Sequence, residues 1–570
     1  MKMSDYVVDF LVEKNVKHIF GLNGAMIVHI FDSLEKNNNI ELICMNHEQA
    51  ASMAADGYSR VTEDIGVCIS TSGPGATNLI TGVANAYYDS IPLIVITGQN
   101  PRNQLKYPIY PDLRQRGFQE MDVESLYKSI SKKVIQIKNK NDIKKVLEEA
   151  FFEAKIGRPG PVVIDFPDDL QRAEINIDEL ESFKPKTSIK YNFKPRNRDI
   201  DISKHFIDKS KKPVIIIGSG VRLGKAKKQV LELIEKYNIP FLVTWGGKDI
   251  ISNKHPLYSG TFGTIPTKYG NLVIQNSDLI LALGTRLDMH NTGTDIKDFG
   301  RNAIKIIVDV DEQELFKFFN VLPKILCIKA DVKEFVEKLL NKNINIKINN
   351  DWYKQIKQWI IDNPVCKNEY YNKKQYVNPY VFLKELSKYS RENDIIIPEA
   401  GANVCQTFQG YDIKNNQRLI TSFNNSPMGT SIPQAIGCSF ATNKGDVLAI
   451  VGDGGFNLNI QELAVVKKHN LPIKIFVFDN HGYGMMKQTQ DDWLNSNYVG
   501  STNKDGLSLP NILEISKAYG IDIETINNHK EINKIKRVLN YKKPMVCIIN
   551  ISPDQRIYPK LLFGRKLDEI

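Results

Sequence analysis

Short apolar runs rich in Val and Ile alternate with stretches of helical periodicity along nearly the whole chain. Such alternation predicts parallel strands covered by helices. In the first third the predicted strands are "KHIFGL", "IELICM", "GVCIST", "PLIVITG" and "PVVIDFP". A second set comprises "KPVIIIGSG", "PFLVTWG", "DLILALGTR" and "AIKIIVDVD", and a third "DIIIPEAG", "VLAIVGDGG", "IKIFVFDN" and "PMVCIINI". The polar, Pro-broken residues 172–200 and the Lys- and Asn-rich residues 340–377 separate the sets. The pattern therefore predicts an α/β protein of three doubly wound parallel-sheet domains, at 1–172, 195–340 and 375–555. The N-terminal "MKMSDYVVDFLVEKN" reads as a capped amphipathic helix starting at Ser4, not as a signal peptide.

Length agrees with this division, because 570 residues are too many for one hydrophobic core. Charge adds little: 75 Lys and Arg against 65 Asp and Glu leave a net charge of +10. No basic helix or aromatic RNA motif accompanies that excess, so a Lys-rich surface is expected and a nucleic-acid partner is not. Seven scattered cysteines, without a CxxC pair, fit a reducing compartment. No apolar run approaches a membrane span, so a cytoplasmic protein without a membrane partner is expected.

Candidate chemistry begins with the triplet Gly452-Asp453-Gly454, which ends an apolar run. After twenty-four intervening residues, Asp479-Asn480 ends "IKIFVFDN". Both pairs fall at carboxyl ends of predicted strands, where open α/β sheets bind their ligands. The intervening "FNLNIQELAVVKKHN" reads as a helix whose N-terminus offers free N–H groups to an anion. Asp453 and Asn480 supply hard oxygen ligands, and "HGYG" can add a carbonyl, a set suited to Mg²⁺ bridging a diphosphate. In the middle unit, "GSGVRLG" (Gly218 to Gly224) is spaced for a tight strand-to-helix turn rather than for an independent dinucleotide site.

This arrangement resembles the thiamine-diphosphate (ThDP) enzymes, whose signature is GDG, a spacer of this length and an Asn-containing pair. "NHEQAASMAADGYSR" (46–60), "STSGPGATN" (70–78), "AYYDSIPLIVITGQ" (86–99) and "GRPGPVVIDFP" (157–167) resemble the acetolactate (acetohydroxyacid) synthase-like members, and the likeness runs over essentially the whole chain. It implies the ThDP fold of pyrimidine, central and diphosphate domains. It implies Asp453, Asn480 and the Gly482 carbonyl as Mg²⁺ ligands. Glu48 matches the glutamate that hydrogen-bonds the aminopyrimidine and favours loss of the thiazolium C2 proton. Met428 matches the residue that props the cofactor in its bent shape. Gly429, Asn403, Gly452, Gly454, Gly455, Met485, Pro74 and Asn78 are implied as further cofactor contacts. Phe118 and Gln119 match residues beside the reacting carbon, and Gly24 and Ala25 fall on a loop whose N–H groups face substrate. In that family Glu48 and the metal site come from different subunits, which implies a homodimer or homotetramer.

The implied reaction is decarboxylation of a 2-oxo acid, pyruvate above all, and ligation of the two-carbon unit to a carbonyl acceptor. Three departures bear on the acceptor. His290 stands where the synthases carry an Arg, and it cannot offer a bidentate fork to a carboxylate. Thr489 replaces an expected tryptophan. The longer segment "NPRNQLKYPIYPDLRQRGFQE" adds Lys106, Arg114 and Arg116. These leave open a larger anionic acceptor such as a nucleotide-linked keto sugar, and a simple decarboxylase. FAD is also left open, because "GTFGTIPTKYG" and "IIVDVD" resemble its site while His290 does not.

Overall fold

The computed structural model describes residues 1–106, 109–110, 112–185, 193–372 and 375–570. Tyr107, Pro108 and Pro111 of the longer segment, and 186–192 of the first polar stretch, lie outside the described residues. Three six-stranded sheets succeed one another, and every strand pair in them is parallel. The first contains β1 (His18–Gly21), β2 (Glu41–Cys44), β3 (Gly66–Ser70), β4 (Leu93–Gln99), β5 (Lys133–Gln136) and β6 (Val162–Pro167), in the order β2-β1-β3-β4-β6-β5. The second contains β7 (Pro213–Ile217), β8 (Phe241–Val243), β9 (Tyr258–Thr261), β10 (Leu279–Leu283), β11 (Ile304–Asp309) and β12 (Ile325–Lys329), ordered β12-β11-β10-β7-β8-β9. The third contains β13 (Ile395–Pro398), β14 (Arg418–Leu419), β15 (Val447–Gly452), β16 (Ile473–Asp479), β17 (Asp522–Ile526) and β18 (Met545–Asn550), ordered β14-β13-β15-β16-β18-β17. In each the order reverses beside central strands, which opens a crevice at their carboxyl ends.

Within the chain the first and third domains meet through two helices, Glu48–Thr62 and Ser431–Ala441. Their approach requires glycine: a Cβ on Gly437 would lie 1.9 Å from the Ala54 carbonyl oxygen, and one on Gly57 would lie 2.5 Å from that of Gln434. A buried polar network locks the contact. Arg60 binds Asp56 (2.9 Å) and Asp89 (2.6 Å), and Gln434 donates to Asp56 (2.6 Å). Asp89 also accepts the Phe423 and Asn424 amides at 2.8 and 3.1 Å. Removing one partner of a buried ion pair leaves its charge uncompensated, so Asp89→Ala is expected to cost about 3–5 kcal/mol. A calorimetric scan should show a lower melting temperature, and an unchanged one would show that the network is dispensable.

Three local expectations are corrected. The first helix runs Met3–Glu13 after Lys2, with no side-chain cap; Ser4 is buried and accepts from Ser33 at 2.9 Å. The 340–377 stretch is no mere linker, because Asn350–Asp362 is a helix whose Trp352 is fully buried and donates to the Pro213 carbonyl. The helix expected after the GDG triplet is broken into Asp453–Leu458, a 3₁₀ turn Ile460–Glu462 and Leu463–Lys468. Asn459 interrupts it, giving its amide to the Gly429 carbonyl at 2.7 Å rather than leaving it to solvent. Among the described residues no helix is long and apolar enough to cross a membrane.

Candidate active site

Two groups of residues stand at the strand ends. In the first domain Glu48 opens its helix, capped by His47, whose Nδ1 accepts the Gln49 amide at 3.0 Å. Glu48 is only 7% exposed. Asn78 Nδ2 donates to Glu48 Oε2 at 3.0 Å, so Asn78 holds the carboxylate. Pro74 begins the short helix Pro74–Asn78, after Gly73 at φ 58°. Gln119 packs against Gly73, where an added Cβ would lie 2.8 Å from its own. Gly24 lies against Thr71, whose hydroxyl accepts the Met26 amide at 3.2 Å, and Ala25 is exposed beside it. Glu48, Asn78, Pro74, Gly24, Ala25 and Gln119 thus gather around the carboxyl ends of β1 and β3.

In the third domain Gly452 pairs with Phe478 across β15 and β16, so Asp453 and Asn480 leave neighbouring strands side by side. Asp453 is 4% exposed, and its oxygens accept the Gly454 amide at 2.7 Å and the Gly482 amide at 3.0 Å. Burial, with Asp479 nearby, pushes its carboxyl up to about 7. A carboxylate so placed needs a cation to stay charged, and the set Asp453, Asn480 and Gly482 carbonyl is all hard oxygen, as Mg²⁺ requires. Asn480 Nδ2 would lie 2.7 Å from a Cβ on Gly484. A Cβ on Gly454 would meet Tyr483 at 2.2 Å and the Met428 Cε at 3.2 Å, which places Met428 over the triplet. Gly429 adopts φ 85°, and Met485 packs at the edge of the domain core. Asn403 donates to the Ile450 carbonyl at 2.8 Å and so braces β15. Among the described residues no hydrogen bond joins Glu48 to Asp453, Asn480 or Met428.

Two buried acids escaped sequence reasoning. Glu399 closes the gap behind Gly455, where a Cβ would lie 2.7 Å from its Cγ, and it accepts the Thr430 and Ser431 amides at 3.0 and 3.1 Å. Glu462 accepts the Asn46 amide at 3.2 Å and so ties the Glu48 segment to the third domain. Each carboxyl is pushed up to about 7 by burial. The folded protein therefore keeps the Glu399 proton after the unfolded chain has lost it. Its stabilisation is full below the ordinary 4.5 and is lost as pH rises through about 7. Glu399→Gln is expected to flatten the fall in melting temperature between about pH 5 and pH 7. An unaltered pH profile would contradict that.

A cleft of about 200 Å³ opens on the central domain, lined by its Trp245, Thr285, Arg286 and His290 together with Arg158 of the first domain and Asn424 of the third. Gly218 and Gly220 press on Gly284, which makes the tight turn expected. The same turn also walls the cleft. His290 meets Trp245 edge to face at 4.4 Å, and Trp245 stacks on Phe408 at 4.8 Å. Among the described residues, His290 Nε2 and Trp245 Nε1 are buried without a hydrogen-bond partner. Thr489 donates to the Met485 carbonyl at 3.0 Å within its own helix. Of the three added cations, Lys106 donates to the Leu113 carbonyl at 3.0 Å, and Arg116 donates to that of Leu105 at 3.1 Å while lying over Tyr110. Two are thus engaged within their own loop, which weakens the case for a large anionic acceptor.

Family models described as the N-terminal, central and C-terminal domains of thiamine pyrophosphate enzymes match residues 1–126, 201–339 and 399–549. The chain is 32% identical to the acetolactate synthase large subunit of Cyanidium caldarium, over 98% of this chain and 94% of that protein. It is 34% identical to a probable acetolactate synthase large subunit of Methanococcus aeolicus, over 98% and 93%. To the acetolactate synthase large subunit of Lactococcus lactis it is 31% identical, over 100% and 95%. Three parallel sheets, a buried glutamate at one set of strand ends and a buried GDG aspartate at another agree with these matches, and the chain belongs to the thiamine-diphosphate enzymes of the acetolactate synthase-like family.

Proposed function

We propose that this chain removes CO₂ from pyruvate and joins the two-carbon remainder to the carbonyl of a second pyruvate, giving acetolactate. The observation that carries the reading is Glu48, buried at the strand ends with one oxygen held by Asn78 and Oε1 left for a ring nitrogen. Bound thiamine diphosphate supplies the electron sink that a 2-oxo acid needs to lose its carboxylate. Glu48 would hold the pyrimidine ring and share a proton with it, in a site dry enough to make that hydrogen bond strong. Asp453, Asn480 and the Gly482 carbonyl would hold Mg²⁺ and, through it, the diphosphate. Met428 would support the bend between the two rings, and Phe118, Gln119 and the Ala25 amide would receive the acceptor, while the Gly24 amide is held by Asn23 Oδ1 at 2.8 Å. Each site would draw Glu48 from one subunit and Asp453 from its partner, so a homodimer is the smallest working unit.

A flavin nucleotide in the central cleft is a reading supported by two buried lining nitrogens, His290 Nε2 and Trp245 Nε1, that have no hydrogen-bond partner among the described residues. His290 would offer it one imidazole nitrogen rather than a guanidinium fork. Purified protein is expected to be yellow with a flavin absorption band; a colourless protein that takes up no added FAD contradicts this. For the reaction itself, protein supplied with ThDP, Mg²⁺ and pyruvate is expected to form acetolactate and CO₂ in equal amounts. Release of CO₂ and acetaldehyde alone would make it a simple decarboxylase.

A further inference from the structure

Phe118 is 77% exposed, yet its carbonyl and the residues on either side of it are held by hydrogen bonds. Glu120, 8% exposed, gathers three amides on its carboxylate: Lys106 at 2.7 Å, Arg116 at 2.9 Å and Gly117 at 3.0 Å. Its own amide donates to the Gly117 carbonyl at 3.0 Å, and its carbonyl accepts from Gln115 at 3.1 Å. Among the described residues no Lys or Arg side chain pairs with it, so this is a buried carboxylate satisfied by backbone. Asn100, fully buried, donates to the Phe118 carbonyl at 2.9 Å, and Gly117 has no room for a side chain because a Cβ would lie 2.6 Å from Asn100 Nδ2. Gln99 donates to the Met121 carbonyl at 2.8 Å. Gln119 takes φ 61°, a left-handed conformation that a non-glycine residue adopts only when its surroundings impose it.

An exposed aromatic ring on a loop ordinarily rests on a mobile backbone. Here Arg116, Gly117, Phe118, Glu120 and Met121 are each held through a backbone group, and one bare phenyl ring is presented. That is the pattern of a pre-organised contact, in which ordering is complete before a ligand arrives.

We infer that Glu120 and Asn100 are positioning residues that fix Phe118 and Gln119 where the acceptor must dock, and so decide whether the two-carbon unit is ligated or escapes. The inference rests on the reaction proposed above. When the acceptor is misplaced, the two-carbon unit takes a proton and leaves, and pyruvate plus one proton becomes acetaldehyde and CO₂.

The test uses Glu120→Gln and Asn100→Asp in the intact protein. The first sets an amide N–H against backbone N–H groups, and the second sets a carboxylate oxygen against the Phe118 carbonyl. A small misplacement at a reacting centre costs up to about a hundredfold in rate, so the ratio of CO₂ to acetolactate is expected to rise about tenfold from near one in both variants. Phe118→Ala, which touches none of the anchors, should give the same ratio, and the double variant Glu120→Gln/Phe118→Ala should go no further. A purely structural role would lower melting temperature and total rate without moving the ratio, and an unmoved ratio in folded variants overturns the inference. A second readout needs no turnover: 4-fluorophenylalanine at position 118 should give one narrow ¹⁹F line in the parent protein and a shifted or split line in both variants. If the parent ligates nothing, the proposed reaction has failed, and the ¹⁹F spectra alone decide. An unshifted line then overturns the positioning role.

Discussion

Glu48→Gln is expected to lower turnover by about 10²–10⁴-fold, the contribution of a well-placed proton-sharing group. Glutamine preserves size and can still accept from Asn78, so the helix Glu48–Thr62 and its packing against Ser431–Ala441 should survive. Melting temperature and ThDP affinity should therefore stay close to those of the parent protein, while CO₂ release falls. The separation of these readouts carries the argument. A loss of folding would mean that Glu48 acts through packing, and full turnover would remove it from the chemistry. Glu48 is distinguished from ordinary surface glutamates by burial combined with one amide partner among the described residues.

Asp453→Ala should act on binding instead. Asp453 is a buried carboxylate between two backbone amides, its ionised form disfavoured first by burial and then by Asp479. A divalent cation would reverse that penalty. Removing one partner of a buried charge pair costs about 3–5 kcal/mol, so Mg²⁺-dependent ThDP affinity should fall by about 10²–10³-fold or more. Titration calorimetry at fixed Mg²⁺ reads this directly, and an affinity within a few-fold of the parent would place the metal elsewhere. Turnover at saturating cofactor should recover in part, which distinguishes this variant from Glu48→Gln.

The sheets were legible in the sequence wherever a strand is buried on both faces, as in β4, β7, β10 and β15. β5, β9, β12, β14 and β17 escaped, and each lies at an edge of its sheet. An edge strand needs less apolar surface: "KVIQ" and "DIETI" are mostly half-exposed, and β14 has only two residues. Asp453 and Asn480 were legible because spacing and strand ends coincide. Glu48 became legible only through the motif around it, since nothing in "NHEQ" alone announces a buried carboxylate. Glu399 and Glu462 gave no signal, because their burial depends on Gly455 and on Asn46, which are distant along the chain. The roles of Glu120 and Asn100 are likewise set by the path of a loop rather than by a pattern in residues. The Asn459 break shows the opposite failure, a helical periodicity overridden by one side chain that finds a better backbone partner.

Glu48 of one subunit and Asp453 of its partner are expected to complete a single site. Subunit complementation decides this: Glu48→Gln and Asp453→Ala proteins, each inactive at limiting ThDP, are dissociated, mixed in equal amounts and allowed to reassociate. A shared site gives mixed dimers with one intact centre, so activity should return to about a quarter of that of the parent. If mixed dimers form and no activity returns, both residues serve a site within one chain, and the account is wrong.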